Sequence, residues 1–241
     1  MGQDIAFNEK FEEVSVNSFA AGQGYLSIPK GKDSNDKFPA VIVLQEWWGL
    51  AGHIKEVVDR FAAAGFLSFA PDLYHGQLTR EPDTARKLMM ELQLDEAAKE
   101  IEFASKMLIN HPKYDANKFE SKVSVIGFCM GGSLAIWSAS KVALINKAIA
   151  FYPGASWERH NPNWENFSGK SAQIHCAESD GTSAAPGIQE AVTHIRNSGG
   201  VVDTYDYPGS QHAFFNNDRP EVYDAAAAVL SWQRSLDFLH N

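Results

Sequence analysis

Val123-Ser-Val-Ile-Gly-Phe-Cys-Met-Gly-Gly132 (VSVIGFCMGG) runs from an apolar, β-branched segment straight into a cluster of glycines with a cysteine at its centre. The pattern predicts a strand, a tight turn and the start of a helix. Gly127-Phe128-Cys129-Met130-Gly131 is a variant of the G-x-S-x-G nucleophile elbow with sulfur in place of the hydroxyl. A nucleophile on such a turn takes a strained backbone, and the residues two before and two after it must be very small for the turn to close. Gly127 and Gly131 meet that need. A sulfur at a helix N-terminus also meets the positive end of the dipole, which lowers a thiol pKa and raises its thiolate fraction. The alternative for Cys129 is a buried structural cysteine beside a glycine-rich turn.

Outward from this stretch, short β-rich runs alternate with longer segments of helical period, the pattern of an α/β fold with a mainly parallel central sheet flanked by helices. About six inner strands are expected: Phe38 to Leu44, Leu67 to Ala70, Val123 to Ile126, Ala148 to Tyr152, Ala172 to Ala177 and Val202 to Tyr207. Apolar residues three and four apart predict helices over His53 to Ala64, Thr84 to Ile109, Gly132 to Val142, Pro186 to Asn197 and Pro220 to Leu239. Residues Val14 to Pro29 alternate around Gly-Gln-Gly and predict an N-terminal antiparallel hairpin at the sheet edge. No linker or shift in composition divides the 241 residues, so one domain over 1–241 is expected.

Composition narrows the function classes. With 44% hydrophobic residues, 15 Phe and 6 Trp the chain can fill a large core. A formal charge of −9 and a pI near 5.3 disfavour nucleic acid and anionic membrane as partners, both of which require clustered Lys and Arg. The N-terminal MGQDIAFNEKFEEV lacks a secretory pattern and no long apolar run follows, so a cytoplasmic protein is expected. Gly2 does not start a myristoylation motif, because position 6 is Ala6. Cys129 and Cys176 lack zinc-like spacing, and no metal site is expected.

In an open α/β sheet, chemistry collects at the carboxyl ends of the strands. After Ala172 to Ala177 comes Glu178-Ser179-Asp180-Gly181, where an orienting carboxylate would stand, with Asp180 preferred over Glu178 because it precedes glycine at the loop apex. After Val202 to Tyr207, Pro208-Gly209-Ser210-Gln211-His212 delivers a histidine before the last helix. Nucleophile, acid, histidine is the chain order of the α/β-hydrolases. Singly, an Asp-Gly pair reads as a turn and a loop histidine as a solvated side chain. A fourth strand end carries Gln45-Glu46-Trp47-Trp48, where tryptophans beside Glu46 would desolvate its carboxyl and suit it to proton exchange; a solvated glutamate is the alternative. The amides of Trp47 and Met130 are the expected oxyanion-hole donors. Trp47, Trp48, Phe128, Phe214 and Phe215 suggest an apolar pocket wall.

These residues resemble the dienelactone hydrolase (carboxymethylenebutenolidase) family of α/β-hydrolases from Tyr25 onward. The resemblance rests on QEWWGL at 45–50, APDLY at 70–74, GFCMGG at 127–132, AFYPG at 150–154, ESDG at 178–181, YPGSQHAF at 207–214 and LDFL at 236–239. It implies Cys129 as nucleophile, Asp180 as acid, His212 as base, and Glu46 as the group that holds or receives the thiol proton. It further implies a two-step hydrolysis of small esters or lactones with no metal or organic cofactor; a monomer or small homo-oligomer is expected. Where family members carry two arginines for a substrate carboxylate, this sequence has Gly76 and Asn216, so dienelactone itself is not the expected substrate. Arg80, Arg86 and Arg219 are the possible replacements, each in a polar stretch. A glutamine amidotransferase would need Glu two residues after a catalytic His, which none of His160, His175, His194 and His212 has. A non-catalytic small-molecule-binding protein on the same scaffold is the remaining alternative.

Overall fold

The computed structural model describes residues 1–8, 10, 12–14, 22–154 and 157–241. Nine strands and six α-helices are found among them, arranged in two compact units, Met1–Val125 and Ile126–Asn241.

The first unit holds β1 (Gln3–Phe7), β2 (Glu13–Val14), β3 (Gly22–Ser27), β4 (Ala40–Leu44), α1 (Gly52–Ala63), β5 (Leu67–Pro71), α2 (Pro82–Glu91) and α3 (Leu94–Asn110). Its strand order is β2-β1-β3-β5-β4. β1 pairs antiparallel with β2 and β3, β3 antiparallel with β5, and β4 parallel with β5. β4 and β5 are buried at every position, and α1 and α3 both pack on them. That burial on both faces is why the two strands read as unbroken apolar runs.

Two sequence expectations change here. Gly-Gln-Gly is the start of β3, whose partners are β1 and β5; the part of the expected hairpin at residues 15–21 lies outside the described residues. The glycine serves close approach, since a Cβ on Gly24 would sit 2.1 Å from the Ala70 carbonyl oxygen. The single helix expected over Thr84 to Ile109 is two, α2 and α3. Leu92 and Gln93 take extended ψ values of 118° and 109°, and Asp95 and Glu96 complement the dipole of the new N-terminus.

β6 (Val123–Phe128) spans the sequence boundary of the units. Then follow α4 (Met130–Lys141), β7 (Ile145–Phe151), β8 (Ser171–Ala177), α5 (Pro186–Asn197), β9 (Val201–Tyr207) and α6 (Ala225–His240). β6, β7, β8 and β9 are successive neighbours. Parallel pairing sets Phe151 opposite His175 and Ala177 opposite Tyr207, so the chain leaves β8 and β9 side by side. α4 is buried from Met130 to Ser140, as an all-round apolar helix must be. α6 starts at Ala225, five residues later than the sequence pattern suggests. Asp224 sets that start by accepting the Ala227 N–H at 3.0 Å. Phe128, Phe151, Tyr152, Phe214 and Phe215 pack with ring centroids 4.8–6.3 Å apart beneath the strand ends. Among the described residues no helix is long and apolar enough to cross a membrane.

Candidate active site

Cys129 occupies the single residue between β6 and α4, with φ 55° and ψ −117°. A residue bearing a Cβ takes such a positive φ only when its surroundings impose it. Here the Cys129 N–H donates to the Phe151 carbonyl at 3.0 Å, and the Cys129 carbonyl accepts the Gly132 N–H at 2.9 Å. The turn closes because position 127 has no side chain: a Cβ there would lie 1.9 Å from the Gly131 oxygen. Cys129 is half-buried and unoxidised, and Met130 stands in the first turn of α4, where helix amides point along the axis toward an incoming group.

β8 ends in a single 3-10 turn, Glu178–Asp180, closed by Gly181 in the left-handed conformation (φ 93°). From that turn Asp180 Oδ2 accepts the His212 Nδ1–H at 2.7 Å. The two side chains are about one-third exposed, 30% for Asp180 and 39% for His212. The Cys129 sulfur acts on the same His212 ring, which packs on Tyr152 at a centroid distance of 5.1 Å with the ring planes 60° apart. Burial works against charge on this imidazole, but the hydrogen bonds to Asp180 and Cys129, with their negative charges, outweigh it and lift its pKa to about 10. The imidazole thus stands bonded to a carboxylate and under the influence of the sulfur, an arrangement of the kind that moves a proton in covalent catalysis.

Glu178, the competing carboxylate of the acidic loop, is used differently, accepting the Gly209 N–H at 2.6 Å. Phe128 and Phe214 are fully buried within the aromatic cluster. Asn216 is also buried, and its Oδ1 accepts the Asp218 N–H at 3.0 Å, closing its own turn. In the first unit, Glu46 follows β4 and is 3% exposed, and Trp47 and Trp48 are half-buried edge to face at 4.9 Å. Gly76 has φ 89°, a backbone that favours glycine over any side chain, arginine included. Arg219 is bound to Glu221 at 2.9 Å. Among the described residues, no cluster of three or more His, Cys, Asp and Glu side chains is arranged to hold a metal ion. Sequence reasoning did not single out Ser179, which accepts the His212 N–H at 2.7 Å. An isolated serine in a polar loop gives no signal until the partner loop is placed beside it.

The model of the dienelactone hydrolase family matches residues 23–241. Protein usf of Aquifex pyrophilus is 30% identical over 246 residues, covering 99% of this chain and 97% of that protein. The carboxymethylenebutenolidase of Pseudomonas putida is 24% identical over 237 residues, covering 95% of each. Among solved structures, a dienelactone hydrolase-like promiscuous phosphotriesterase from metagenomic libraries shares the fold with a TM-score of 0.75 at 19% identity, over 100% of this chain and 97% of that one.

Proposed function

The chain belongs to the dienelactone hydrolase family and is a carboxymethylenebutenolidase-like hydrolase of esters or lactones with an α/β-hydrolase fold; from that premise we propose that it works through Cys129, His212 and Asp180 and a thioester acyl-enzyme. The observation that carries the reading is the position of the His212 ring, bonded to Asp180 at 2.7 Å and acted on by the Cys129 sulfur of the strained turn after β6.

The Cys129 thiolate attacks the carbonyl carbon, and the oxygen takes the negative charge, received by the Met130 amide, with the Trp47 amide as the second donor expected from the sequence. Collapse of the tetrahedral intermediate breaks the ester C–O bond, and the departing alkoxide takes the His212 proton. Acylation consumes the thiolate charge that helped hold that proton, so the neutral imidazole becomes a base. Oriented by Asp180, His212 then deprotonates water, which attacks the thioester and restores the thiolate, with acid and alcohol as products. The family resemblance assigns to Glu46 the role of holding or receiving the thiol proton. The raised His212 pKa favours a second assignment, in which the resting proton stays on the imidazole. Glu46→Gln separates the two, since only the first predicts loss of thiolate formation in that variant.

We further propose uncharged esters and lactones as substrates, in preference to carboxylate-bearing ones, because the positive φ at Gly76 and the buried turn at Asn216 leave no guanidinium at either position. The proposal places the enzyme in the cytoplasm as a single-domain protein, monomeric or a small homo-oligomer, with no metal or organic cofactor. A panel of small aryl esters and lactones tests the reaction. Cys129→Ala is expected to lower kcat/KM by at least about 10³-fold, and undiminished hydrolysis by that variant would sink the reading. A wild-type protein that binds esters without turnover would favour the binding-protein alternative.

A further inference from the structure

We propose that Ser179 is a positioning residue for the hydrolysis, and that with Glu178 it forms a side-chain ladder joining the loop of the acid to the loop of the base. The inference rests on the catalytic reading of Cys129, His212 and Asp180 and extends it to residues that touch no substrate.

β8 and β9 pair in parallel up to Ala177 opposite Tyr207, each residue facing the one thirty positions later. Beyond that point both chains leave the sheet, and nothing in the regular ladder fixes them to each other. Yet the pairing goes on, through one backbone bond and three side-chain ones. Glu178 Oε2 accepts the Gly209 N–H at 2.6 Å. The Ser179 N–H donates to the Ser210 carbonyl at 3.3 Å, and Ser179 Oγ accepts the His212 N–H at 2.7 Å. Asp180 Oδ2 accepts the His212 Nδ1–H at 2.7 Å as the last rung. The Ser179 hydroxyl proton is directed at Asp180 Oδ1, at 3.4 Å, so one oxygen ties the backbone of the base and the side chain of the acid. The far side of the base loop is anchored as well. Buried Ser210 donates through Oγ to Asp224 Oδ2 at 2.8 Å, and Asp224 caps α6.

Such a ladder matters because imidazole geometry must hold within a fraction of an ångström for proton transfer, and misplacement of about 1 Å can cost on the order of 100-fold. The Glu178 rung sets the turn at Gly209, whose φ of 79° lets the chain reverse. The Ser179 rung sets the height of His212 over Cys129. Both residues are exposed, so their contribution is to geometry more than to folding stability.

Four variants, Ser179→Ala, Ser179→Thr, Glu178→Ala and Cys129→Ala, provide the test, each read by ester kinetics and by NMR titration of the His212 imidazole. For Ser179→Ala the expected result is a fall in kcat of about 10-fold with KM within about twofold, together with a lower His212 pKa. Ser179→Thr retains the oxygen and is expected to restore both, while Glu178→Ala is expected to give a smaller change of the same kind. If Ser179→Ala titrates and turns over as the wild type does, water replaces the hydroxyl and the proposal is wrong. Equal loss in the Ser179→Thr protein would overturn it too. Should Cys129→Ala keep full activity, the catalytic reading fails by itself, and the His212 titration of Ser179→Ala still decides whether the ladder positions the ring.

Discussion

Burial and two side chains act in opposite directions on the proton of His212. Burial favours its loss, while Asp180 and Cys129 favour its retention and prevail, with a pKa near 10. Two of the raising influences come from the sulfur. In the Cys129→Ala protein the hydrogen bond and charge of that sulfur are both absent, so the His212 pKa is expected to fall well below the wild-type value, read from imidazole proton shifts against pH. An unchanged titration would mean that Asp180 alone holds the proton. Asn216 shows how one residue limits a plausible design. It lies 3% exposed with its amide oxygen engaged, so Asn216→Arg would have to bury a guanidinium there, at a cost that obscures any gain in carboxylate binding.

At the scale of elements, local signals were legible wherever the chain itself imposed them. The strand-turn-helix of β6 and α4 followed from glycines whose absence of a Cβ is a steric requirement within six residues. The break between α2 and α3 was not legible, because apolar spacing continues through Leu92 and Gln93 while the backbone there extends to redirect the chain. The start of α6 was misplaced for a related reason. Proline suits a helix start in general, but the Asp224 carboxylate bonds Ala227 and Ser210 together and fixes the first turn there. Replacing Asp224 with Ala is accordingly expected to cost about 1 kcal/mol and lower Tm by about 2–4 °C, with a parallel fall in kcat as Ser210 is released. A wild-type Tm in this variant would show that the cap is dispensable.

Over the whole molecule, two histidines give stability a maximum with pH. His175 is fully buried, bonded to Tyr207 Oη at 2.6 Å and Gln173 Oε1 at 2.9 Å. Desolvation, with Arg234 nearby, presses its pKa down to about 3. Because the unfolded chain binds the proton near 6.5, the stability from neutral His175 is present above that value and is lost as pH falls toward about 3. The slope from this group approaches 1.4 kcal/mol per pH unit. His212 has the opposite sign. Its raised pKa contributes stability fully below about 6.5, lost as pH rises toward 10. Denaturant unfolding from pH 4 to 10 should therefore show greatest stability near pH 6–7. His175→Gln should flatten the acid limb, and Cys129→Ala the alkaline one. A profile unchanged in both variants would show that other groups govern it.

The sequence by itself determined the tight turn at Cys129, the alternation of strands and helices, and the chain order of sulfur, carboxylate and imidazole. Each of these depends on neighbours in the chain or on position after a strand, and both are written locally. Only the tertiary structure showed which partners these residues take: Glu178 bonds the Gly209 N–H, Ser179 the His212 N–H and Asp180 the His212 ring. That choice depends on the parallel register of β8 and β9, which joins residues some thirty positions apart. Below the ends of those strands the backbone ladder fixes the pairing; above them the side chains continue it, and their partners cannot be read until the two loops lie together.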